Sequence, residues 1–504
     1  MTSTNAACDS GPVRHLSLTT RALLTLGLMI GFYFLAIGLS LGLLYIPYAE
    51  WEYAGRLHPK LAFFCGIGAI LILWSVVPRL DRFAAPGPRL DARTCPRLFE
   101  AIDDIASLTG QNVPAEVYLV PDLNAWVADR GGVLGLGARR VMGLGLPLLQ
   151  LLSVAQLRAV LAHEFGHFFA GDTKLGPWVY RTRAALFRTL QNLHGSVLQQ
   201  LFIAYAKLFL RVSHAVARRQ EFAADNLAAR KVGAEPLIEG LKRIHGAAPA
   251  FDSYWRSEVL PLLNSGFRPP IAEGFNRFSS ADGIARAIDK QVAHELAEGK
   301  AEPYDTHPSL RERIAALEGF DRSSKTRDEA PAVSLLTGVE VLELDLLRTM
   351  SAEAGNLKPI QWQDVATAVY LPLWAQAAEW DADAFQGITL EHLPEALAQE
   401  NGIASRLRPK EGEKLDADQR KAKAIFVTGA ALVVLLDRHG WRTSVQPGEP
   451  VRLGRDSSIV DPFDVVGALA KGTMTAEAWR ALCATAGISG LELRPLAASS
   501  PAVE

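Results

Sequence analysis

The chain has few cysteines and no excess of either charge, and both absences exclude classes of protein. Its four cysteines, Cys8, Cys65, Cys95 and Cys483, lie far apart in 504 residues. Without paired spacing they predict no disulfide framework, and they favour free thiols in a reducing compartment. The 52 basic and 54 acidic residues nearly cancel. No basic field indicates a nucleic-acid partner, so we expect no nucleic-acid binding.

Long uncharged stretches are also rare, but two of them lie near the N-terminus. Ala22–Tyr45 and Leu61–Pro78 contain no acidic residue, lysine or arginine. As helices, both are long enough to cross a hydrocarbon layer of about 30 Å. The segment after the first stretch, Ile46–Glu50, offers no small-x-small cleavage site, which argues against a signal peptide. We predict an N-terminal tail over residues 1–21 and two transmembrane helices over residues 22–78.

Arginine is distributed unevenly around these two stretches, and this predicts their orientation. The short connection between them contains only two basic residues, Arg56 and Lys60. The region after the second stretch contains Arg79, Arg82, Arg89, Arg93 and Arg97. Positively charged loops stay on the cytoplasmic side of a membrane. We therefore expect a multi-pass protein whose N-terminal tail and main folded part both face the cytoplasm.

The most informative motif is His163-Glu164-Phe165-Gly166-His167. Apolar residues recur around it at helical spacing, so it should lie on a buried helix. Residues four apart share one face of a helix, and both imidazoles can then bind one zinc ion, with Glu164 as the base for its water. The alternative is a core helix whose histidines only form hydrogen bonds. Gly166 is unfavourable inside a helix, which predicts a close neighbour there.

A catalytic zinc site of this type needs a third protein ligand. Glu221 is the best candidate because it lies in a stretch of good helix formers. Asp225 follows one turn later, where a carboxylate could bond the far nitrogen of a ligating histidine. Taken alone, a glutamate and an aspartate at this spacing usually belong to a solvated helix face.

Four motifs in order resemble one known family. They are the HEFGH run, the segment Glu221–Asp225, the earlier element Asn124–Trp126 and the later run Thr306–Ile314. Over Cys95–Phe320 the chain resembles the membrane zinc metallopeptidases that include HtpX and the CAAX prenyl endopeptidases.

The resemblance implies one zinc ion per chain, held by His163, His167 and Glu221, with Glu164 as general base. Asn124 and His307 would lie beside the scissile peptide bond, while Asp225 and Arg313 would support the ligands from behind. The implied substrates are proteins or peptides. The implied location is a bacterial plasma membrane, with the catalytic domain in the cytoplasm.

The segments around the motifs predict an α+β fold that is mostly helical. A helix over Pro96–Leu108 and a strand over Glu116–Val120 precede the HEFGH helix. Further extended pieces follow around Asn124–Val127 and Arg140–Leu146, and an edge strand there could pair with the substrate backbone. At Ser309, Glu312 is placed to form a capping box.

One amphipathic segment, Val197–Ala217, has two interpretations. It could be a helix that packs on the domain core, which we favour, or a helix on the membrane surface. The chain lacks the further long spans that HtpX-like proteins carry after the motif helix. This departure argues against a lipid-lined chamber and against prenylated substrates.

The remaining chain predicts a helical extension without a catalytic constellation. We expect a zincin-like metallopeptidase domain over residues 79–320, a polar linker over 321–331 and a helical C-terminal domain over 332–504. Within the last, we predict a buried helix over Ala424–Leu436, an exposed loop over Ser405–Lys423 and a hairpin over Gly440–Leu453.

The function that the sequence favours is a membrane-anchored zinc endopeptidase acting on membrane or membrane-associated proteins. One alternative is a CAAX-type protease that acts on lipidated C-terminal tails. Another is a non-catalytic membrane scaffold with a structural zinc domain, although such a domain has no use for Glu164. The sequence gives no indication of oligomeric state.

Overall fold

The computed structural model describes residues 18–77, 83–130, 139–169, 176–300, 302, 305, 307–321, 328–399, 402–409 and 415–493. The α-helices described are α1 Leu18–Ala54, α2 Pro59–Val76, α3 Pro96–Thr109, α4 Leu146–Leu151, α5 Val154–Phe169, α6 Gly176–Asn192, α7 Val197–Val232, α8 Ala234–Tyr254, α9 Leu260–Asn264, α10 Ile271–Ser280, α11 Asp282–Glu298, α12 Leu310–Leu317, α13 Val339–Met350, α14 Leu371–Trp380, α15 Leu393–Ala398, α16 Ile403–Arg406, α17 Ala417–Arg438, α18 Pro462–Lys471 and α19 Ala476–Ala486. The strands are β1 Arg89–Leu90, β2 Glu116–Val120, β3 Ala125–Arg130, β4 Arg139–Gly145, β5 Phe267–Arg268, β6 Lys358–Pro359, β7 Arg442–Ser444, β8 Arg452–Arg455 and β9 Ser458–Val460. The prediction of a mostly helical α+β fold is confirmed.

The chain forms two compact units, each assembled from two segments. The first unit contains Met1–His245 and Val292–Thr337, and the second contains Gly246–Gln291 and Gly338–Glu504. The second unit therefore includes a segment that the sequence analysis grouped with the peptidase domain. Helices α8 and α11 carry the chain out of the first unit and back, and such long-range pairing leaves no local signal in the sequence. The predicted division into functional domains stays a prediction.

A four-stranded sheet with the order β1-β2-β4-β3 lies in the first unit. Strands β2 and β4 are parallel, whereas β3 runs antiparallel to β4 and pairs Trp126 with Gly143. A Cβ atom at Gly143 would lie 2.4 Å from the Trp126 ring. Only glycine fits there, so the Trp126 side chain can lie flat across β4. Strand β3 occupies one edge of this sheet and packs beside helix α5.

Helices α5 and α7 pack against each other at very short range. A Cβ atom at Gly166 of α5 would lie 2.8 Å from Cα of Ala224 on α7. Both residues are small, so the two backbones approach more closely than ordinary side chains allow. The predicted close neighbour of Gly166 is thereby confirmed. This contact brings the HEFGH motif next to the Glu221–Asp225 segment.

The two N-terminal helices contain the predicted uncharged stretches. Within α1 and α2, Leu23–Ala54 and Pro59–Val76 are long and apolar enough to cross a membrane, judged by length and composition. Many of their large side chains, including Phe34 and Phe64, are exposed. Pro78, the predicted end of the second stretch, lies outside the described residues.

The predicted amphipathic segment Val197–Ala217 is the first part of the longer helix α7. Its apolar side chains form one cluster with residues of α1, α2 and α6. The members of this cluster include Phe32, Ile72, Leu186, Phe202 and Phe209. The segment packs on other helices, as the favoured expectation requires, but it does not pack on the core around the sheet. Its protein partners are the two long apolar helices together with α6.

The second unit has its core around α17. Residues Ala424–Leu436 are largely buried within this helix, as predicted. The predicted hairpin is confirmed by the antiparallel pair β7–β8, which β9 extends to three strands. The expectation of an exposed loop over Ser405–Lys423 is wrong at its C-terminal part. Asp416 and Gln419 form a capping box there, and the charged residues that follow belong to the first turns of α17.

Candidate metal centre

Two helices bring three potential metal ligands together. Helix α5 contributes His163 and His167, and α7 contributes Glu221. The Nε2 atom of His163 lies 3.5 Å from Oε2 of Glu221, and the Nε2 atom of His167 lies 3.5 Å from Oε1 of the same carboxylate. One ligand atom from each of the three side chains falls within 4.8 Å of the others. The imidazole rings are nearly perpendicular, at 86° with centroids 4.9 Å apart.

Behind the three ligands, a buried ion pair supports His163. Asp225 Oδ1 lies 2.8 Å from His163 Nδ1. Arg313 of α12 donates to both oxygens of Asp225, with its Nε at 2.8 Å and its Nη2 at 2.6 Å. An Nδ1–H group that donates to Asp225 leaves Nε2 of His163, on the side of Glu221, as the ring atom that can bind a metal. Asp225 and Arg313 lie behind His163, and their expected role of supporting a metal ligand stays a prediction.

The charges around the site suit a cation. Burial lowers the pKa of His163, but the carboxylates of Asp225 and Glu221 oppose it and raise the value to about 9. For Glu221, burial raises the pKa, yet the imidazoles of His163 and His307 hold it well below its usual range. Burial also lowers the pKa of His167 to about 4, which keeps that imidazole neutral with a free lone pair. These carboxylates attract positive charge strongly.

One buried oxygen tests whether the residues fit a metal. Oε2 of Glu221 is buried and accepts no hydrogen bond of normal geometry, although His163, His307 and Arg313 all lie nearby. A buried acceptor without a partner is costly, and a bound cation would remove that cost. Two imidazole nitrogens and one carboxylate oxygen match the donor set of catalytic zinc sites. The residues fit the ion.

Glu164 occupies the position next to the first histidine and is half-buried. Burial raises the pKa of its carboxyl to about 7, and the nearby negative charge of Glu221 contributes to the rise. A carboxyl with a pKa near neutrality can exchange a proton readily at neutral pH. This pKa suits a general base.

His307 approaches the cluster from a separate loop. Its Nδ1 lies 3.1 Å from Oε2 of Glu221, and its side chain is 65% exposed. The carboxylate of Glu221 raises the pKa of His307 above its ordinary value. Helix α12 begins immediately afterwards, and the predicted capping box between Ser309 and Glu312 is confirmed. This cap fixes the chain direction just after His307.

Arg218 is a residue near the site that the sequence analysis did not identify. It lies on α7 one turn before Glu221 and donates to the backbone oxygens of Asp305, at 2.8 Å, and Glu302, at 3.5 Å. Asp305 precedes His307 by two residues, so Arg218 ties the loop of His307 to the helix of Glu221. The only signal in the sequence was the spacing of three residues between Arg218 and Glu221, which places both on one helix face.

Asn124 lies just before the edge strand β3. Its side-chain oxygen accepts a hydrogen bond from the amide of Ala125 at 2.9 Å, and its backbone oxygen accepts one from Gly145 at 2.8 Å. Asn124 is exposed. These local bonds suit a turn residue, and its expected role beside the substrate stays a prediction. Thr306, the first residue of the fourth motif, lies outside the described residues.

Comparison with known proteins agrees with this geometry. Residues 94–321 match the sequence profile of "Peptidase family M48". This match and the motifs together support the M48 metallopeptidase family for this segment. The matched range almost coincides with the resemblance over Cys95–Phe320, which is thereby confirmed. The chain is also similar to a protein described as "Protease HtpX homolog" from Sulfurovum sp. (strain NBC37-1), with 26% identity over 239 residues. That match covers 44% of this chain and 75% of the relative.

No solved structure shows a significant match to the chain. The M48 match supports a metallopeptidase. The second unit lies largely outside the matched range, and the family says nothing about its role.

Proposed function

We propose that the protein is a membrane-anchored zinc endopeptidase that hydrolyses peptide bonds in membrane or membrane-associated proteins. The observation that carries this proposal is the convergence of His163, His167 and Glu221 beside the half-buried carboxyl of Glu164. The three would hold one zinc ion. When bound, zinc polarises the peptide carbonyl and makes the attacking water more acidic.

The carboxylate of Glu164 would accept a proton from the attacking water as its oxygen bonds to the peptide carbon. As the carbon–nitrogen bond breaks, the Glu164 carboxyl returns that proton to the leaving amine. Each turnover thus consumes one water and restores the carboxylate. A pKa near 7 suits both transfers, because the group neither holds nor releases the proton too strongly.

His307 would stabilise negative charge on the carbonyl oxygen. Its raised pKa favours the protonated, donating form, and its exposed side chain can reach a substrate above the cluster. Asn124 is the second candidate donor. The edge strand β3, beside α5, would pair with the substrate backbone through main-chain hydrogen bonds and so orient the scissile bond.

Helices α1 and α2 would anchor the protein as a multi-pass membrane protein. Their length and composition support this, as does the similarity to a relative described as an HtpX homologue. The arginines that follow α2 favour a cytoplasmic catalytic domain in a bacterial plasma membrane. Substrates at or near the bilayer would then have the easiest access to the site.

The test compares Glu164→Gln with the matched control Glu298→Gln, in which an exposed glutamate of α11 is changed. The Glu164 variant should bind zinc in near-stoichiometric amount and fail to cleave peptides, because an amide cannot accept the proton. The control should keep both properties. Full peptidase activity in the Glu164 variant would refute the proposed mechanism. The inactive variant also serves as a trap for proteomic identification of substrates from membrane fractions.

A further inference from the structure

Arg183 of α6 is a half-buried cation that the proposed mechanism does not use. Its Nη2 donates to the hydroxyl of Ser213 on α7 at 3.1 Å, and Ser213 is itself buried. The Nε–H group of Arg183 is buried and has no hydrogen-bond acceptor within the described part of the chain. No described carboxylate forms an ion pair with this guanidinium, and burial lowers its pKa without an opposing charge.

An arginine in this environment is unfavourable unless something binds it. Removing a cation from water costs free energy, and buried cations are therefore normally paired. Arg188, five residues later on α6, has a structural role, because its Nε and Nη2 both donate to the backbone oxygen of Ser75, at 3.1 and 2.9 Å. Arg183 has one neutral hydroxyl instead. Its guanidinium thus keeps donors for an anion that the described residues do not supply.

The contact with Ser213 places Arg183 near the candidate metal centre. Ser213 precedes Glu221 by eight residues on α7, which is about 12 Å along the helix axis. His214 precedes Glu221 by seven residues, or about two turns, so these two lie on one face of α7. Between them on this face lies Ala217, which is half-buried. The helix face from the metal centre towards Arg183 therefore carries a small side chain, which leaves space beside it.

We propose that Arg183 binds a carboxylate of the peptide substrate and so contributes to substrate selection. This inference rests on the proposed peptidase function. A guanidinium presents paired donors in one plane, which match the two oxygens of a carboxylate. An extended peptide advances about 3.3 Å per residue, so a group about 12 Å away lies about three or four residues from the scissile bond. An acidic side chain and the C-terminal carboxylate of a substrate can both supply this group.

The test uses the full-length, zinc-loaded protein in a neutral detergent, so that no anionic lipid competes for Arg183. Glutamate or glutamine replaces each residue in turn, near the cleaved bond of one neutral peptide substrate. A second pair of peptides ends in a free carboxylate or in an amide, about three or four residues from that bond. The values of kcat and KM are compared for the parent, Arg183→Met and the matched control Arg181→Met. Arg181 lies on the same helix, over the ring of Trp178.

We expect the parent protein to prefer the carboxylate peptide by about ten- to a hundredfold in kcat/KM, as for a hydrogen bond to a charged group. The preference should occur at about three or four residues from the cleaved bond and appear mainly in KM. Arg183→Met should lose this preference and cleave the neutral peptides at the parent rate, whereas Arg181→Met should keep it. The pair that shows the preference identifies its source as a side chain or the C-terminus.

A preference that persists in Arg183→Met, or its absence from both peptide sets in the parent, would overturn the inference and leave the peptidase function intact. A parent protein that cleaves no peptide would refute the proposed function, and the inference would fail with it. Fluorescence anisotropy with Glu164→Gln measures binding of the same peptides without cleavage, and equal affinity for charged and neutral peptides would contradict the role of Arg183. Arg183→Lys keeps the charge without the planar donors, and it should retain only part of the preference should Arg183→Met fold poorly.

Discussion

The pair formed by Asp225 and Arg313 offers a quantitative test of how the metal site is supported. Asp225 is 1% exposed and Arg313 is 6% exposed, so neither group has access to bulk water. Asp225 accepts two short hydrogen bonds from Arg313 and lies 2.8 Å from His163. The change Asp225→Asn removes the charge, keeps the shape and leaves the guanidinium of Arg313 buried without its anion.

Two effects should follow from Asp225→Asn, and they have different sizes. Breaking a buried ion pair by removing one partner costs about 3–5 kcal/mol of unfolding free energy. Removing the hydrogen-bond partner of a metal-ligating histidine lowers metal affinity about 10–100-fold. The first effect concerns Arg313, and the second concerns His163. A second substitution can separate them.

The double variant Asp225→Asn, Arg313→Met provides that separation. Methionine fills much of the arginine volume and carries no charge, so most of the lost unfolding free energy should return. The zinc affinity should stay low, because His163 still lacks the carboxylate on its Nδ1. Urea unfolding with a chelator present measures the metal-free stability, and competition with a chromophoric chelator measures zinc affinity.

Zinc affinity near that of the parent protein in the double variant would refute the positioning role of Asp225. Unchanged stability of Asp225→Asn would show that Arg313 finds another partner, such as Glu221, whose Oε2 lies 3.7 Å from Nη1. Either result would change the assignment of one residue. Because the two properties are measured separately, a loss of fold cannot be mistaken for a loss of metal.

Further predictions concern the other groups around the centre. Glu164 must be deprotonated to act as base, so kcat/KM should rise as the pH passes the pKa of its carboxyl. That pKa is at or below about 7, because a bound cation lowers it further. A value of kcat/KM that falls over this pH interval would contradict the assignment. Glu221→Ala should reduce both zinc occupancy and activity, and unchanged occupancy by metal analysis would remove it from the ligand set. His307→Ala should lower kcat and kcat/KM together, by on the order of ten- to a thousandfold, with normal zinc content. Arg218→Met should lower kcat in the parent protein but have little further effect in His307→Ala, whereas an equal loss in both backgrounds would show that Arg218 acts elsewhere; Arg219→Met is the matched control.

The sequence predicted the parts of the site that depend on local spacing. His163, Glu164 and His167 follow from one helical turn, and the capping box at Ser309 follows from a short motif. The close contact at Gly166 could also be anticipated, because glycine destabilises the interior of a helix and is expected there where a neighbour packs too closely for a side chain. Its partner, Ala224, could not be identified, since no local rule relates two helix residues that lie 58 positions apart in the chain.

The parts that were missed depend on tertiary contacts. The predicted end of the amphipathic segment at Ala217 was too early, because α7 continues to Val232 and contains no glycine or proline that would end it. Residues 246–291 join the second unit through contacts that no periodicity reveals. Arg218 was overlooked because its acceptors are backbone oxygens of a distant loop, and backbone acceptors have no signature in sequence.

The sequence of helix α7 changes along its length because its two halves make different contacts. Its first half packs apolar side chains against α1, α2 and α6, and Phe202 and Phe209 belong to that cluster. Its second half must approach α5 closely and carry two buried carboxylates, so small residues such as Ala224 alternate there with Glu221 and Asp225. One continuous helix makes the two halves rigid with respect to each other. A change in how the first half sits against α1 and α2 would therefore reach Glu221 directly, which makes the packing of Phe202 on Phe32 a contact that should influence the metal centre from a distance.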